Sequence, residues 1–213
     1  DREFTNVLAL EDEIAAAIAT RLRVEFAPHD LQRSQPVVDV EAHAAYLEGR
    51  YFFARGTPDA LARAKVCYEQ AIARDPNSAL AHDSLAELHW YFGFFGNVPP
   101  REAFSLSTWL AIRALELDDT LAQTHALLAM LRKELDYNWP EVERELHRAF
   151  QLNREAPLVR LRYAISLLLP QARIDEAITE LESVLQTDPL SLFTRWWLAV
   201  LAYLGRLPDR VIA

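Results

Sequence analysis

Hydrophobic residues recur at steps of three and four along most of the chain, which is the spacing of one face of an α-helix. The clearest example is the segment 57–76, where Thr57 and Pro58 are suited to the start of a helix and Pro76 ends it. The residues that share its apolar face are Leu61, Ala64, Tyr68, Ala71 and Ile72. The pattern therefore predicts an amphipathic helix that packs against a neighbouring helix.

Segments like this one recur along the chain. Their closing dipeptides start at positions 75, 118, 153 and 188, so the first interval is 43 residues and the next two are 35. Prolines stand where several helices should begin, at Pro58, Pro99 or Pro100, Pro140, Pro157 and Pro208. The alternating apolar runs typical of strands are scarce, so the pattern predicts an all-α chain.

A pair of such helices cannot bury its apolar faces alone, so successive pairs are expected to stack around one continuous core. We expect four complete pairs and the first helix of a fifth over residues 41–213. Residues 1–40 are expected to form a separate N-terminal part, an amphipathic helix over Val7–Phe26 and a linker that contains two prolines. Because the chain begins with Asp1 and stops in a helical pattern near Val211, we expect it to be part of a longer protein.

The repeated unit resembles a known family of helical repeats. Its second helix has a characteristic spacing of small and aromatic residues, seen here at Ala64, Tyr68, Ala71 and Pro76. This spacing and a period of about 34 residues are typical of the tetratricopeptide repeat (TPR). The resemblance implies a right-handed TPR α-solenoid of antiparallel helix pairs.

Residues 41–213 resemble, more narrowly, the TPR region of multidomain bacterial regulators. In these proteins the repeats follow a TolB-like module and a cyclase, kinase or winged-helix output domain. The segments that carry this resemblance are Tyr46–Phe52, Ala79–Ala86, Ala114–Asp118, Arg173–Ile178 and Asp188–Ser191. The resemblance implies that residues 1–40 are the tail of a preceding TolB-like module.

The sequence departs from the TPR pattern at five positions. Asp119 and Arg154 stand where the repeat usually has proline. Val142 and Val211 replace a small residue, and Ala172 replaces the usual glycine. We expect these departures to loosen the local fit and the evenness of the superhelix without changing the fold.

The resemblance also implies a concave surface that is lined by the first helix of each pair. The candidate residues on this surface are Tyr46, Arg50, Phe53, Asp83, Glu87, Trp90, Met130, Lys133, Arg162, Ser166, Trp196 and Tyr203. Aromatic residues, methionine and arginine are enriched at protein interfaces, so this set predicts a groove for a partner peptide or helix. Two alternatives stay open: the aromatic side chains could pack between neighbouring helices, and the charged side chains could be solvated surface.

One specific TPR activity is not expected. TPR proteins that bind chaperones hold a C-terminal carboxylate with lysine and asparagine side chains, because several donors must converge on the anion. In this chain Asp83 and Glu87 stand at two of the corresponding positions, and their negative charge would repel a carboxylate.

The segment Gly93–Pro100 lengthens the second repeat and accounts for the interval of 43 residues. Loops carry function more often than cores do, and Phe94 and Phe95 could form an exposed apolar tip of this loop. The alternative is that both phenylalanines fold back over the region of Trp90 and Trp109.

Charge, composition and motifs limit the kinds of partner and site that this segment is expected to have. The formal net charge of −9 argues against nucleic acid as the partner of this segment. The longest apolar run, Trp196–Leu204, is far shorter than the roughly 18 residues of a membrane span, so no membrane insertion is expected.

We expect Cys67 to be buried and inert, and His82 and His125 to pack at equivalent repeat positions rather than bind a metal. No phosphate-binding loop or catalytic constellation is present, so neither enzymatic activity nor a cofactor is predicted.

The sequence therefore predicts a protein–protein interaction scaffold within a larger bacterial signalling or transcriptional regulator in the cytoplasm. Its partner would bind in the concave groove. The alternative is a structural module that self-associates and sets the oligomeric state or the spacing of attached output domains.

Overall fold

The computed structural model describes residues 39–206, and this part of the chain contains nine α-helices and no strand. The helices are α1 (Val40–Arg55), α2 (Pro58–Arg74), α3 (Ala79–Phe94), α4 (Pro100–Leu117), α5 (Ala122–Asp136), α6 (Trp139–Asn153), α7 (Pro157–Tyr163), α8 (Ile174–Thr187) and α9 (Leu192–Leu204). They form four pairs and the first helix of a fifth, so the predicted all-α solenoid is confirmed. The helix predicted over Val7–Phe26, Pro208 and Val211 lie outside the described residues.

The helix starts follow the local sequence. Thr57 Oγ1 accepts a hydrogen bond from the backbone N–H of Ala60 at 3.3 Å, and Pro58 is the first residue of α2, as predicted. Pro100 and Pro157 likewise open α4 and α7. Pro140 is instead the second residue of its helix, because Asn138 provides the cap one position earlier than the proline pattern suggests.

Small residues allow the paired helices to approach closely. Gly49 of α1 faces the ring of Tyr68 in α2, and a Cβ atom at position 49 would lie 2.5 Å from that ring. In the next pair Gly93 faces the ring of Phe104 in the same way. The hydroxyl of Ser107 in α4 donates a 2.7 Å hydrogen bond to the carbonyl of Ala86 in α3, which ties these two helices together.

The hydrophobic core extends along the array. One cluster of buried side chains runs from Tyr46 in α1 to Leu201 in α9, as expected when each pair buries its apolar face against the next. A second cluster lies between α5, α6 and the start of α7, and it includes the fully buried Val142. The array therefore accommodates valine at this position, where the repeat usually has a smaller residue.

The fourth pair contains two irregular features. After Tyr163 the helix α7 widens into a π-helical segment, Ala164–Leu168, in which the N–H of Leu169 donates to the carbonyl of Ala164 at 2.9 Å. The turn into α8 then places Ala172 at φ 58°, a left-handed conformation that glycine adopts more readily. This explains physically why glycine is usual at this position of the repeat.

Candidate functional site

The first helices of the pairs line a groove that has an apolar section and a polar section. The apolar section has a volume of about 470 Å³ and receives side chains from α1, α3, α5, α7 and α9. Its lining residues are Phe53, Glu87, Trp90, Tyr91, Phe95, Met130, Leu158, Leu161, Arg162, Leu192, Phe193 and Trp196. The polar section, of about 560 Å³, adjoins it and shares Phe53, Glu87 and Leu158 with it.

Most of the predicted groove residues line one of these two sections. Those in the apolar section are Phe53, Glu87, Trp90, Met130, Arg162 and Trp196. Those in the polar section are Tyr46, Arg50, Phe53, Asp83 and Glu87.

Lys133, Ser166 and Tyr203 lie elsewhere. Lys133 is near the end of α5, and its ammonium group pairs with Glu134 at 3.0 Å. Ser166 is fully buried in the π-helical segment. Tyr203 lies in the last turn of α9 and is 83 % exposed.

The apolar section ends in a cluster of aromatic rings that joins α3 to α9. We call this cluster the aromatic bridge and define it as Trp90, Phe94, Phe95, Phe193 and Trp196. Phe94 stacks on Trp90 with ring centroids 4.9 Å apart. Phe193 approaches Trp90, Phe94 and Phe95 at 6.1, 6.0 and 6.4 Å, the first two edge to face, and Trp196 lies 6.2 Å from Phe94.

The aromatic bridge shows where the two phenylalanines of the lengthened repeat lie. Phe94 is the last residue of α3 and stacks on Trp90 one turn before it, and Phe95, the next residue, lies 4.3 Å from the ring of Tyr91 while remaining 51 % exposed. Trp109 is not among the ring contacts of either phenylalanine in the described residues. Phe94 therefore contacts Trp90, as the fold-back alternative has it, but it does so from within α3, so the prediction that Phe94 belongs to the loop is wrong.

An ion pair between a buried arginine and a partly buried glutamate lies where the two sections meet. Arg162 of α7 is 2 % exposed and donates a 2.9 Å hydrogen bond to the backbone carbonyl of Gln123 in α5. Its second nitrogen, Nη2, pairs with the carboxylate of Glu87 in α3. A buried guanidinium needs such partners, because an unpaired charge in the interior is strongly unfavourable. The solvated-surface alternative is therefore wrong for Arg162.

Asp83 lies one helical turn before Glu87 and is partly buried. Its Oδ1 accepts a 2.6 Å hydrogen bond from the hydroxyl of Thr124 in α5. Burial raises the pKa of Asp83 to about 6, against the opposing effects of the Thr124 hydrogen bond and the Arg162 charge. The negative charge of Glu87 raises the pKa further. Asp83 is thus a carboxyl group whose charge is poorly solvated.

The polar section offers hydrogen-bonding groups with little excess charge. Glu87 is neutralised by Arg162, so the remaining charges on this section are those of Asp83 and the exposed Arg50. Ser84 and Thr120 add hydroxyl groups to the wall. Such a surface can bind the polar side chains and backbone of an extended segment, but it lacks the converging donors of a carboxylate site.

His82 and His125, which stand at equivalent repeat positions, each contact polar groups of nearby residues. The Nδ1 of His82 lies 2.9 Å from the carbonyl of Ser78 at the start of α3. The Nδ1 of His125 lies 2.7 Å from a carboxylate oxygen of Glu145, and its Nε2 lies 3.1 Å from the carbonyl of Asp119. Within residues 39–206 no group of three potential metal ligands is found.

Cys67 is buried as predicted, and burial raises the pKa of its thiol, which keeps it in the less reactive protonated form. No helix in the described part of the chain is both long enough and apolar enough to span a membrane.

Sequence reasoning missed several residues of the apolar section, chiefly Leu158, Leu161 and Phe193. Phe193 carried a usable signal, because Phe193, Trp196 and Trp197 follow one another at helical spacing. Nothing in the sequence marked the carbonyl of Gln123 as the partner of Arg162.

Comparisons with solved structures agree with this architecture. TTC0263, a thermophilic TPR protein of Thermus thermophilus, is similar over 93 % of this chain and 95 % of that chain, with a TM-score of 0.59 and 19 % identity. PilF of Pseudomonas aeruginosa matches 80 % of this chain and 72 % of its own, with a TM-score of 0.54 and 22 % identity. A TPR protein of Parabacteroides merdae matches 84 % and 65 %, with a TM-score of 0.52 and 16 % identity.

No protein-family model matches the sequence, and the comparison with curated proteins found no match. At the identities above, structural similarity shows the fold alone. The chain is accordingly an all-α solenoid of the TPR type.

Proposed function

We propose that this chain is a non-catalytic protein-interaction scaffold that binds a partner peptide or helix in its concave groove. The observation that carries the proposal is the apolar section of about 470 Å³, lined by all five first helices and adjoining a polar section. Cavities of this size with mainly apolar walls and a few polar groups are the usual form of a binding site. The net charge of −9 supports a protein partner rather than a nucleic acid.

The two sections suggest how a partner would be divided between them. A bulky apolar side chain of the partner would enter the apolar section, where aromatic walls provide most of the binding free energy. The neighbouring polar residues of the partner would bind the hydroxyl groups and amides of the polar section. Leu158 lies at the junction of the two sections and would contact both parts.

The resemblance to the TPR regions of bacterial regulators supports a wider context for this scaffold. In that context the array would connect a TolB-like module to its partners within a cytoplasmic signalling or transcriptional regulator. Sequencing the gene on both sides of this segment tests the idea, since a cyclase, kinase or winged-helix domain should be recognisable there.

A second candidate function is self-association, and specific exposed residues favour it. Leu190, Leu192 and Tyr203, in and before α9, are 86 %, 81 % and 83 % exposed, which leaves apolar surface for another copy of the chain. Light scattering with and without an added capping helix separates the two cases. Association that persists with the cap supports a structural role.

Peptide selection tests the proposed groove directly. Peptides selected from a random display library on the whole chain should bind a Leu158→Lys variant at least about tenfold more weakly, since a charged group at the junction of the two sections would disrupt the apolar contacts made there. Trp109→Lys is the matched control, because Trp109 is a large exposed residue of α4 outside both sections. Equal binding to the wild type and to Leu158→Lys would argue against the groove.

A further inference from the structure

The aromatic bridge joins parts of the array that are not neighbours. In a solenoid each repeat normally contacts only the repeats before and after it. Here Phe193, from the fifth repeat, contacts Trp90 and Phe94, from the second, at ring distances of 6.1 and 6.0 Å. These contacts place α9 across one end of the concave groove.

Phe193 meets Trp90 and Phe94 in a geometry that an aromatic side chain from another molecule can also adopt. Its ring lines the apolar section and approaches Trp90 and Phe94 edge to face, with interplanar angles of 77° and 83°. Edge-to-face packing is the geometry that aromatic pairs prefer, including those formed between two proteins. The chain therefore places one of its own aromatic side chains against Trp90 and Phe94, at the edge of the open apolar section.

Two tryptophans near the contact between α3 and α9 have buried N–H groups without a hydrogen-bond acceptor within residues 39–206, which lowers stability. The indole nitrogens of Trp90 and Trp197 are both buried, and neither has a hydrogen-bond partner among the described residues. A buried donor without an acceptor costs free energy, so the bridge is less stable than its ring contacts alone would suggest.

We propose that α9 is an autoinhibitory element of the groove, with Phe193 as an intramolecular competitor of the partner. This inference rests on the proposed function and specifies it further: the partner is a peptide that presents an aromatic side chain to Trp90 and Phe94. Entry of that side chain against Trp90 and Phe94 requires the ring of Phe193 to withdraw, whereas peptides that fit the open volume bind without this step. Because α9 is tethered, its effective concentration is high, and a weak contact is enough to keep Phe193 against these two rings.

Hydrogen exchange on the whole chain tests whether the bridge opens as a unit. Phe193→Ala should speed amide exchange in both α9 and residues 93–98, although these segments are distant in sequence. Phe52→Ala is the matched control, because Phe52 is also a partly buried phenylalanine but lies in α1, outside the bridge. Phe193→Leu keeps most of the apolar volume and should show the same pattern more weakly. If residues 93–98 exchange alike in Phe193→Ala and Phe52→Ala, the inference is overturned.

A peptide probe tests the competition itself. The probe is a labelled peptide with the sequence of residues 191–197, Ser-Leu-Phe-Thr-Arg-Trp-Trp, and its control has alanine in place of phenylalanine. If Phe193 lies against Trp90 and Phe94 about nine-tenths of the time, the probe should bind Phe193→Ala about tenfold more tightly than the wild type. The alanine control peptide should show no such difference.

The other outcomes separate this inference from the proposed function. Equal probe binding to both proteins would show that the groove accepts peptides but that α9 does not compete, which overturns the inference alone. No binding to Phe193→Ala also overturns it, while the proposed function is then judged by the library peptides and Leu158→Lys.

Discussion

Ala172 is a residue whose backbone conformation conflicts with its side chain. At φ 58° it lies in the left-handed region, where any residue with a Cβ atom is disfavoured relative to glycine. We expect Ala172→Gly to raise the free energy of unfolding by about 1 kcal/mol, after allowing for the greater freedom of glycine in the unfolded chain. Urea unfolding at constant m-value measures the change.

The same substitution within a helix gives a matched control of opposite sign. Ala177 is fully buried in α8, so Ala177→Gly should lower the free energy of unfolding by about 1 kcal/mol or more. A loss of stability in Ala172→Gly as well would contradict the assignment of strain to residue 172.

Asp83 gives the stability of the chain a pH dependence that can be isolated. Its pKa of about 6 in the folded chain is above the value of about 3.9 usual for an unfolded aspartate. The native state therefore binds more protons between about pH 4 and pH 6, and the contribution of Asp83 to stability falls as the pH rises through this window. The Asp83→Asn variant does not titrate, and its amide oxygen can still accept the hydrogen bond of Thr124. Its stability relative to the wild type should therefore increase from pH 4 to pH 7.

Urea unfolding at several pH values measures this difference, and Asp118 provides the control. Hydrogen bonds from Thr120 lower the pKa of Asp118, so its carboxylate favours folding at pH values above the unfolded pKa. Asp118→Asn should therefore lose stability relative to the wild type as the pH rises. Parallel pH profiles for the two variants would contradict the burial argument for Asp83.

At the scale of helices, the ion pair of Arg162 links three elements that belong to three different repeats. Arg162 lies in α7, and its partners are Glu87 in α3 and the carbonyl of Gln123 in α5. Removing Arg162 leaves the partly buried carboxylate of Glu87 and the carbonyl of Gln123 without their partner, so Arg162→Ala should cost about 2 kcal/mol, less than for a fully buried pair. The double variant Arg162→Met with Glu87→Leu should recover most of this loss, because both charges are then removed.

A double-mutant cycle measured by urea unfolding checks this coupling. Arg160 is a suitable control, since its pairs with Glu155 and Glu180 are local to the fourth pair. If the losses for Arg162→Ala and Glu87→Leu simply add in a double variant, the two side chains do not act as a buried pair.

The number and order of the helices followed from the sequence. The π-helical segment and the left-handed turn of the fourth pair did not. The apolar periodicity, the prolines and the repeat interval predicted every first and second helix of the described region. The π-helical segment had no signal, because five consecutive residues, Ala164–Leu168, are all buried and therefore show no periodicity. The left-handed turn was visible only as a departure at Ala172, where the repeat usually has glycine.

At the scale of the described array, the residues that line the groove were predictable in part. Residues such as Phe53, Trp90 and Trp196 follow from their positions on the first helices. The aromatic bridge does not, because it depends on how far the array turns between the second and fifth repeats. That turn is a sum of small rotations at each repeat interface, and no local sequence pattern specifies it.

The bridge and the buried ion pair also change how the array should unfold. A solenoid with contacts only between neighbours can lose its terminal repeat separately. Here Phe193 and Arg162 connect distant repeats, so we expect a single transition in which tryptophan fluorescence and far-ultraviolet circular dichroism coincide. In Phe193→Ala the fluorescence transition should move to lower urea than the dichroism transition, because Trp196 and Trp197 lie on the released helix.

Phe52→Ala is the control for this prediction, because it removes a phenylalanine that packs in the core but not in the aromatic bridge. Phe52→Ala should lower both transitions together, since Phe52 packs against the core from α1, outside the bridge. Coincident transitions in Phe193→Ala would mean that α9 remains coupled to the array through α8 alone. In that case the fifth repeat belongs to the cooperative unit whether or not it touches the second, and the groove has no separately movable end.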